Sequence, residues 1–172
     1  MFKNLIGKWL FFNLLILLFA GCETNKPNFQ EDAKDANFYH RSMKKLTDVI
    51  VHDIFSPPVA SRIYAYPNIA AFETLIHDYP DYQSLEGQLE GLENVPQPEE
   101  GKEYCFPLAG IHAFLLTGKA LIFSEADIQD FENELLEEFK SLKIPEDVYN
   151  RSLEYGTAVS QHILAWAGTD MY

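Results

Sequence analysis

Three places in the sequence bring chemically able side chains close together. Asp48 and His52 stand four apart with Asp53 adjacent, a spacing that on a helix turns a carboxylate and an imidazole to one side, where they could meet a metal ion. Two ligands do not close a coordination shell. His40, His77, His112 and His162 show no short ligand spacing with them, so the pair reads as a solvated helix face with an i, i+4 contact. His112 and Lys119 interrupt an apolar run. A buried lysine must pair with an acid or lose its charge, but a stem laid along apolar surface with the ammonium in water is the simpler expectation. His77-Asp78 falls where a helix should end, and the helix dipole favours a histidine there. The nucleophile elbow Gly-x-Ser-x-Gly, the phosphate-binding glycine loops, Cys-x-x-Cys and His-Glu-x-x-His are all absent. The sequence therefore assigns no catalytic residue, no metal ligand and no cofactor-binding residue to this chain.

Charge narrows the function further. Thirteen Lys and Arg against 26 Asp and Glu leave −13, with no basic cluster, so a footprint for nucleic acid is missing. Of the two cysteines, Cys22 and Cys105, the second is expected to be a small apolar residue beside Phe106 rather than a reactive thiol.

The N-terminal stretch carries the clearest signal. Lys3 and Lys8 precede an apolar run from Trp9 to Ala20 interrupted only by Asn13, the charged and apolar parts of a secretory signal. It ends in Leu18-Phe19-Ala20-Gly21-Cys22, which resembles a bacterial lipobox. The resemblance implies cleavage before Cys22, a diacylglyceryl group on its sulfur, and a protein anchored by lipid to a bacterial membrane, facing the periplasm or at the outer membrane. Loss of Lys3 and Lys8 would take the net charge from −13 to −15. The expected organisation is a signal peptide over 1–21, a flexible tether over 22–36, and a helical domain over 37–172.

Periodicity within that domain is helical throughout, with no sustained alternation of period two. Phe38, Met43, Leu46, Val49, Ile50 and Ile54 line one face of a helix that should stop at Ser56-Pro57-Pro58, where Ser56 can cap the next helix. Pro67 predicts a kink or a restart in that second helix. Leu85, Leu89 and Leu92 predict a short helix weakened by Gly87 and Gly91, followed by a solvated loop from Glu93 to Tyr104. Phe106 to Phe123 is apolar nearly all round and reads as a buried central helix. Ser124-Glu125-Ala126-Asp127 has capping-box spacing, opening a helix with Ile128, Phe131, Leu135, Phe139 and Leu142 on one face and acids on the other. Pro145 opens a last helix whose stripe includes Tyr149, Ser152, Val159, Ile163 and Trp166. The fold class is all-α, a bundle of about five to six helices.

The segment from Leu46 to Glu73, with Ser56-Pro57-Pro58-Val59-Ala60-Ser61-Arg62 at its centre, resembles the N-terminal helical region of vanadium-dependent haloperoxidases and related phosphatases of the type 2 phosphatidic acid phosphatase superfamily. It is most similar to their lipoprotein members in Bacteroidota-type bacteria. Tyr82 to Leu89, the apolar helix around Ala109 to Ala120, and Tyr155-Gly156 before Ile163 to Trp166 follow in the same order. In that family Lys-x6-Arg-Pro, Pro-Ser-Gly-His and Ser-Arg-x5-His motifs hold vanadate or phosphate, and a histidine binds vanadium or attacks phosphorus. None of the three occurs here; after Ser61-Arg62, position 68 is Asn rather than His.

The resemblance implies a whole protein that hydrolyses phosphomonoesters or oxidises halide with vanadate, of which this chain is the membrane-tethered helical portion, inactive alone and partnered by a C-terminal catalytic part. Such a portion should leave an apolar face on the last helix around Val159, Ile163 and Trp166. The competing expectation is a complete, non-enzymatic helical lipoprotein that binds a protein or sugar partner through its aromatics, and that buries this face or uses it in a dimer.

Overall fold

The computed structural model describes residues 28–170, and the expected signal peptide and Cys22 lie outside the described residues. Among the described residues every regular element is helical: α1 (Phe29–Asp32), α2 (Ala36–His52), α3 (Pro57–Leu75), α4 (Phe106–Lys119), α5 (Glu125–Ser141) and α6 (Glu146–Ala167), with 3-10 turns at Ile76–Asp78 and Gly168–Asp170. None of these helices is long and apolar enough to cross a membrane.

The bundle is built around α4. Ten of its 14 residues are buried, Leu108, Ala109, Ala113 and Phe114 completely, and it packs chiefly against α3 and α6. The closest approach is at Gly156, where a Cβ would lie 2.4 Å from the backbone oxygen of Ala109. Only a residue without a side chain lets α6 approach α4 this closely. On the other flank, α2 and α5 bring Leu46, Val49, Ile50, Ile128, Leu135 and Phe139 into one apolar cluster, in which Phe38 stacks on Phe139 with centroids 4.3 Å apart.

Several local expectations need correction. Of the kink or restart expected at Pro67, the restart does not occur: α3 runs unbroken through it. Asn68 helps, because its side-chain amide donates to the Tyr64 carbonyl at 2.7 Å in the turn that the proline disturbs. No helix forms over Leu85 to Leu92. Gly87 and Gly91 stand at φ 72° and 75°, backbone that only glycine adopts without strain, and the segment is a series of turns that buries Leu92 completely. The following loop is pinned rather than free, since Val95 and Tyr104 are buried. From Asn28 onward the expected tether is docked: Ala33 is buried, Phe29 packs on the core, and Gln30 donates to the Tyr104 carbonyl at 3.1 Å.

Two caps also differ from expectation. Ser56 and Ser124 hold the N-cap positions of α3 and α5, but neither hydroxyl bonds to its own helix. At the start of α5, Asp53, just past the end of α2, accepts the backbone N–H groups of Phe123 and Ser124 at 2.9 and 3.0 Å and the Ser124 hydroxyl. Burial works against ionisation of Asp53, yet these three bonds outweigh it and hold its carboxyl below the usual range.

Replacing Gly156 by Ala forces a methyl group into backbone that cannot move aside, so Gly156→Ala should lose about 2–4 kcal/mol of unfolding free energy. At Gly168 a Cβ would meet nothing within 4 Å, so Gly168→Ala should change stability by no more than about 0.5 kcal/mol in the same urea titration.

Candidate functional site

Two clusters of titratable groups and one groove are the places where this bundle could do chemistry. The first cluster centres on Glu132, which is 2% exposed. Its carboxylate meets His112 Nδ1 at 2.7 Å and Lys119 Nζ at 3.5 Å, while His112 Nε2 lies 3.0 Å from the Thr157 hydroxyl and Lys119 donates to Gln129 at 2.6 Å. Lys119 is thus paired with an acid rather than merely extended into water. The sequence places Glu132 on the acidic face of its helix, but the apolar positions Ile128, Leu135 and Phe139 put it at i+4 of the first and three before the second, squarely on the buried stripe. That spacing was the signal for it. Nucleophile, base and an open reacting position do not come together here; the groups neutralise one another between α4, α5 and α6.

The second cluster lies where α3 ends. Glu73, 1% exposed, accepts the Ser84 hydroxyl at 2.6 Å and the Leu85 backbone N–H at 2.7 Å, fastening the turns that follow. His77 Nε2 lies 2.9 Å from the Tyr155 hydroxyl, which also donates to the Pro96 carbonyl at 3.2 Å. Burial pushes the His77 pKa down and the Tyr155 pKa up, so both are neutral near pH 7. Asp78 Oδ2 is buried with no hydrogen-bond partner among the described residues. Burial raises the Asp78 pKa, opposed by Lys34 and His77. Cys105 is fully buried beside Phe106, and burial pushes its thiol up to about 11, as expected of an inert packing residue.

The groove lies at the opposite end of α3, a volume of about 630 Å³ lined by Val59, Arg62, Tyr66, Leu121, Leu164 and Ala167 among others. Arg62 donates to Asp170 at 2.7 Å and to the Tyr66 hydroxyl at 2.8 Å, its guanidinium over the Tyr66 ring. Beneath it, Val159 and Ile163 are completely buried and Trp166 stands edge-on to Tyr66 while donating to the Glu90 carbonyl at 3.0 Å. The expectation of an exposed face at Val159 and Ile163 is therefore corrected: the turns around Leu92 and Val95, packed with Tyr66 and Tyr155, cover them.

Asp48 and His52 do not converge. Asp48 turns to Lys44, with Nζ to oxygen distances of 2.7 and 2.9 Å, and Asp53 is committed to the start of α5. Among the described residues no group of three or more His, Cys, Asp or Glu could hold a metal.

Vanadate or phosphate would need several cations and backbone donors aimed at one point. The described residues do not fit it. Arg41 is held in a bidentate pair by Glu138 at 2.7 and 2.6 Å, Arg62 by Asp170, and Arg151 by Asp147 at 2.7 Å and the Glu103 carbonyl. The three arginines of the chain thus lie in three separate ion pairs.

Asp78 gives a sign that can be checked. Its pKa is higher folded than unfolded, so its contribution to stability is intact below the unfolded value, near 4, and is lost as pH rises through the folded one. Between pH 4 and 7, urea titrations of Asp78→Asn should therefore show a stability that rises more, or falls less, than that of the unchanged protein.

No family model matches this chain, and no curated protein matches it either. A solved structure does: a crystal structure described as that of the first bacterial vanadium-dependent iodoperoxidase, 38% identical in sequence with a TM-score of 0.74 over 79% of this chain. The chain spans only 32% of the length of that protein. Over that third, the two share one all-helical fold.

Proposed function

We propose that this chain is the lipid-tethered helical portion of a vanadium haloperoxidase-like or acid phosphatase-like bacterial lipoprotein, supplying scaffold and address rather than chemistry. The observation that carries the reading is the 38% identity over 79% of the chain, with only 32% of the iodoperoxidase spanned. The missing motifs point the same way: Lys-x6-Arg-Pro, Pro-Ser-Gly-His and Ser-Arg-x5-His are all absent from the sequence. Whatever binds the oxyanion in the whole protein must lie in other residues, and the choice between phosphomonoester hydrolysis and halide oxidation belongs to them. In this reading Cys22 carries the lipid, and the anchored domain faces the periplasm or sits at the outer membrane.

The burial of Val159 and Ile163 favours a second reading, a self-contained helical lipoprotein that binds a protein or sugar partner in the same compartment. The mass of the native lipoprotein, purified from its host's membranes with an antibody to residues 28–170, separates the two. The first reading expects a species well above 151 residues plus lipid, with phosphatase or iodide- and bromide-oxidising activity after addition of vanadate. A mass matching 151 residues plus lipid, with neither activity, would overturn it in favour of the second.

A further inference from the structure

Two exposed tyrosines and a half-buried phenylalanine form an aromatic face at the end of α3. Tyr82 is 62% exposed and Tyr79 45%, and Tyr82 stands edge-on to both Tyr79 and Phe72, with centroids 6.1 and 6.3 Å apart. With Leu75 and Ile76 they line an open cavity of about 220 Å³. A neighbouring hollow shares Leu75 and Tyr79 and continues onto Ala33, Lys34, Asp35 and Ala36, the residues that lead from α1 into α2. The aromatic face therefore lies at the end of the bundle where the N-terminal segment joins it.

That placement limits how far the face can stand from a membrane. Asn28 is the first described residue, six positions after Cys22, and six fully extended residues reach about 20 Å at most. A lipid on Cys22 would hold this end of the bundle within that reach of the bilayer. Tyrosine suits the zone it would meet, because the ring is apolar and the hydroxyl stays hydrated.

We infer that the Phe72, Tyr79 and Tyr82 face rests in the headgroup region of the bilayer to which Cys22 is anchored, so that the domain is held in one orientation. The inference rests on the lipid-anchor reading above. The contact is aromatic rather than electrostatic: the chain is acidic, and Lys34, the lysine lining the hollow, is paired with Glu31. Arg62 lies 13 residues before Leu75 on α3, about 20 Å along the helix axis, so the groove between α3 and α6 lies at the other end of that helix from the aromatic face.

The test uses the full lipoprotein in phosphatidylcholine vesicles whose acyl chains carry bromine near the headgroup. In a Trp166→Phe background, Tyr82→Trp reports from the aromatic face, and Phe123→Trp reports from a residue 79% exposed at the junction of α4 and α5. Brominated lipid should quench the first at least twofold and leave the second unchanged, and added phosphatidylglycerol should not increase the effect. In the unsubstituted protein, amide exchange over residues 79–84 should slow on vesicles relative to detergent. Equal quenching at both positions, none at position 82, or unchanged exchange overturns the inference while leaving the anchor intact. An unmodified Cys22, read from the mass of the N-terminal peptide, overturns the anchor reading and this inference together.

Discussion

The contact between Gly156 and the Ala109 carbonyl is the constraint on which the rest of the bundle depends. A Cβ at position 156 would lie 2.4 Å from that oxygen, so α4 and α6 are as close as two backbones allow. With α6 this near, α4 is enclosed by α3 on one side and by α2 and α5 on the others, leaving ten of its 14 residues out of water. Close packing of this kind transmits a change of one methyl group, since the interior holds few voids to absorb it.

Enclosing α4 has a polar consequence. His112 and Lys119 sit on a helix with almost no solvent face, and both reach Glu132 on α5. Glu132 in turn is buried only because those partners satisfy it, since an unpaired buried carboxylate is far costlier than an exposed one. Glu73 follows the same logic with Ser84 and the Leu85 N–H, while Asp53, nearer the surface, makes bonds of the same kind to Phe123 and Ser124. Three acids thus connect elements distant in sequence. The three arginines are similarly committed, each to a different carboxylate in a different part of the bundle.

What could be read from the sequence was what local periodicity controls. The helical stripe of α2, the break at Ser56-Pro57-Pro58, the apolar run of α4 and the stripes of α5 and α6 all place helices where the structure has them, within a few residues at their ends. The resemblance around Ser56 to Arg62 anticipated the shared fold with the iodoperoxidase. The misses arise where side-chain contacts or backbone conformation override the helical pattern. Asp53, 71 residues away, takes the place of the serine cap at Ser124, Asn68 supports a helix through Pro67, and the turns around Gly87 and Gly91 fold over Val159 and Ile163. Glu132 was hidden for a different reason: an acid on an acidic helix draws no notice unless its register against Ile128 and Leu135 is counted.

The central claim is that the three arginines of this bundle lie in separate ion pairs with its own carboxylates, so that they do not converge on an oxyanion. Titrating the purified chain with orthovanadate while following the vanadium-51 resonance tests this most directly. The account predicts an unshifted, unbroadened signal at every protein concentration. A saturable broadening that phosphate reverses would contradict it and would mean that these helices contain a complete oxyanion site.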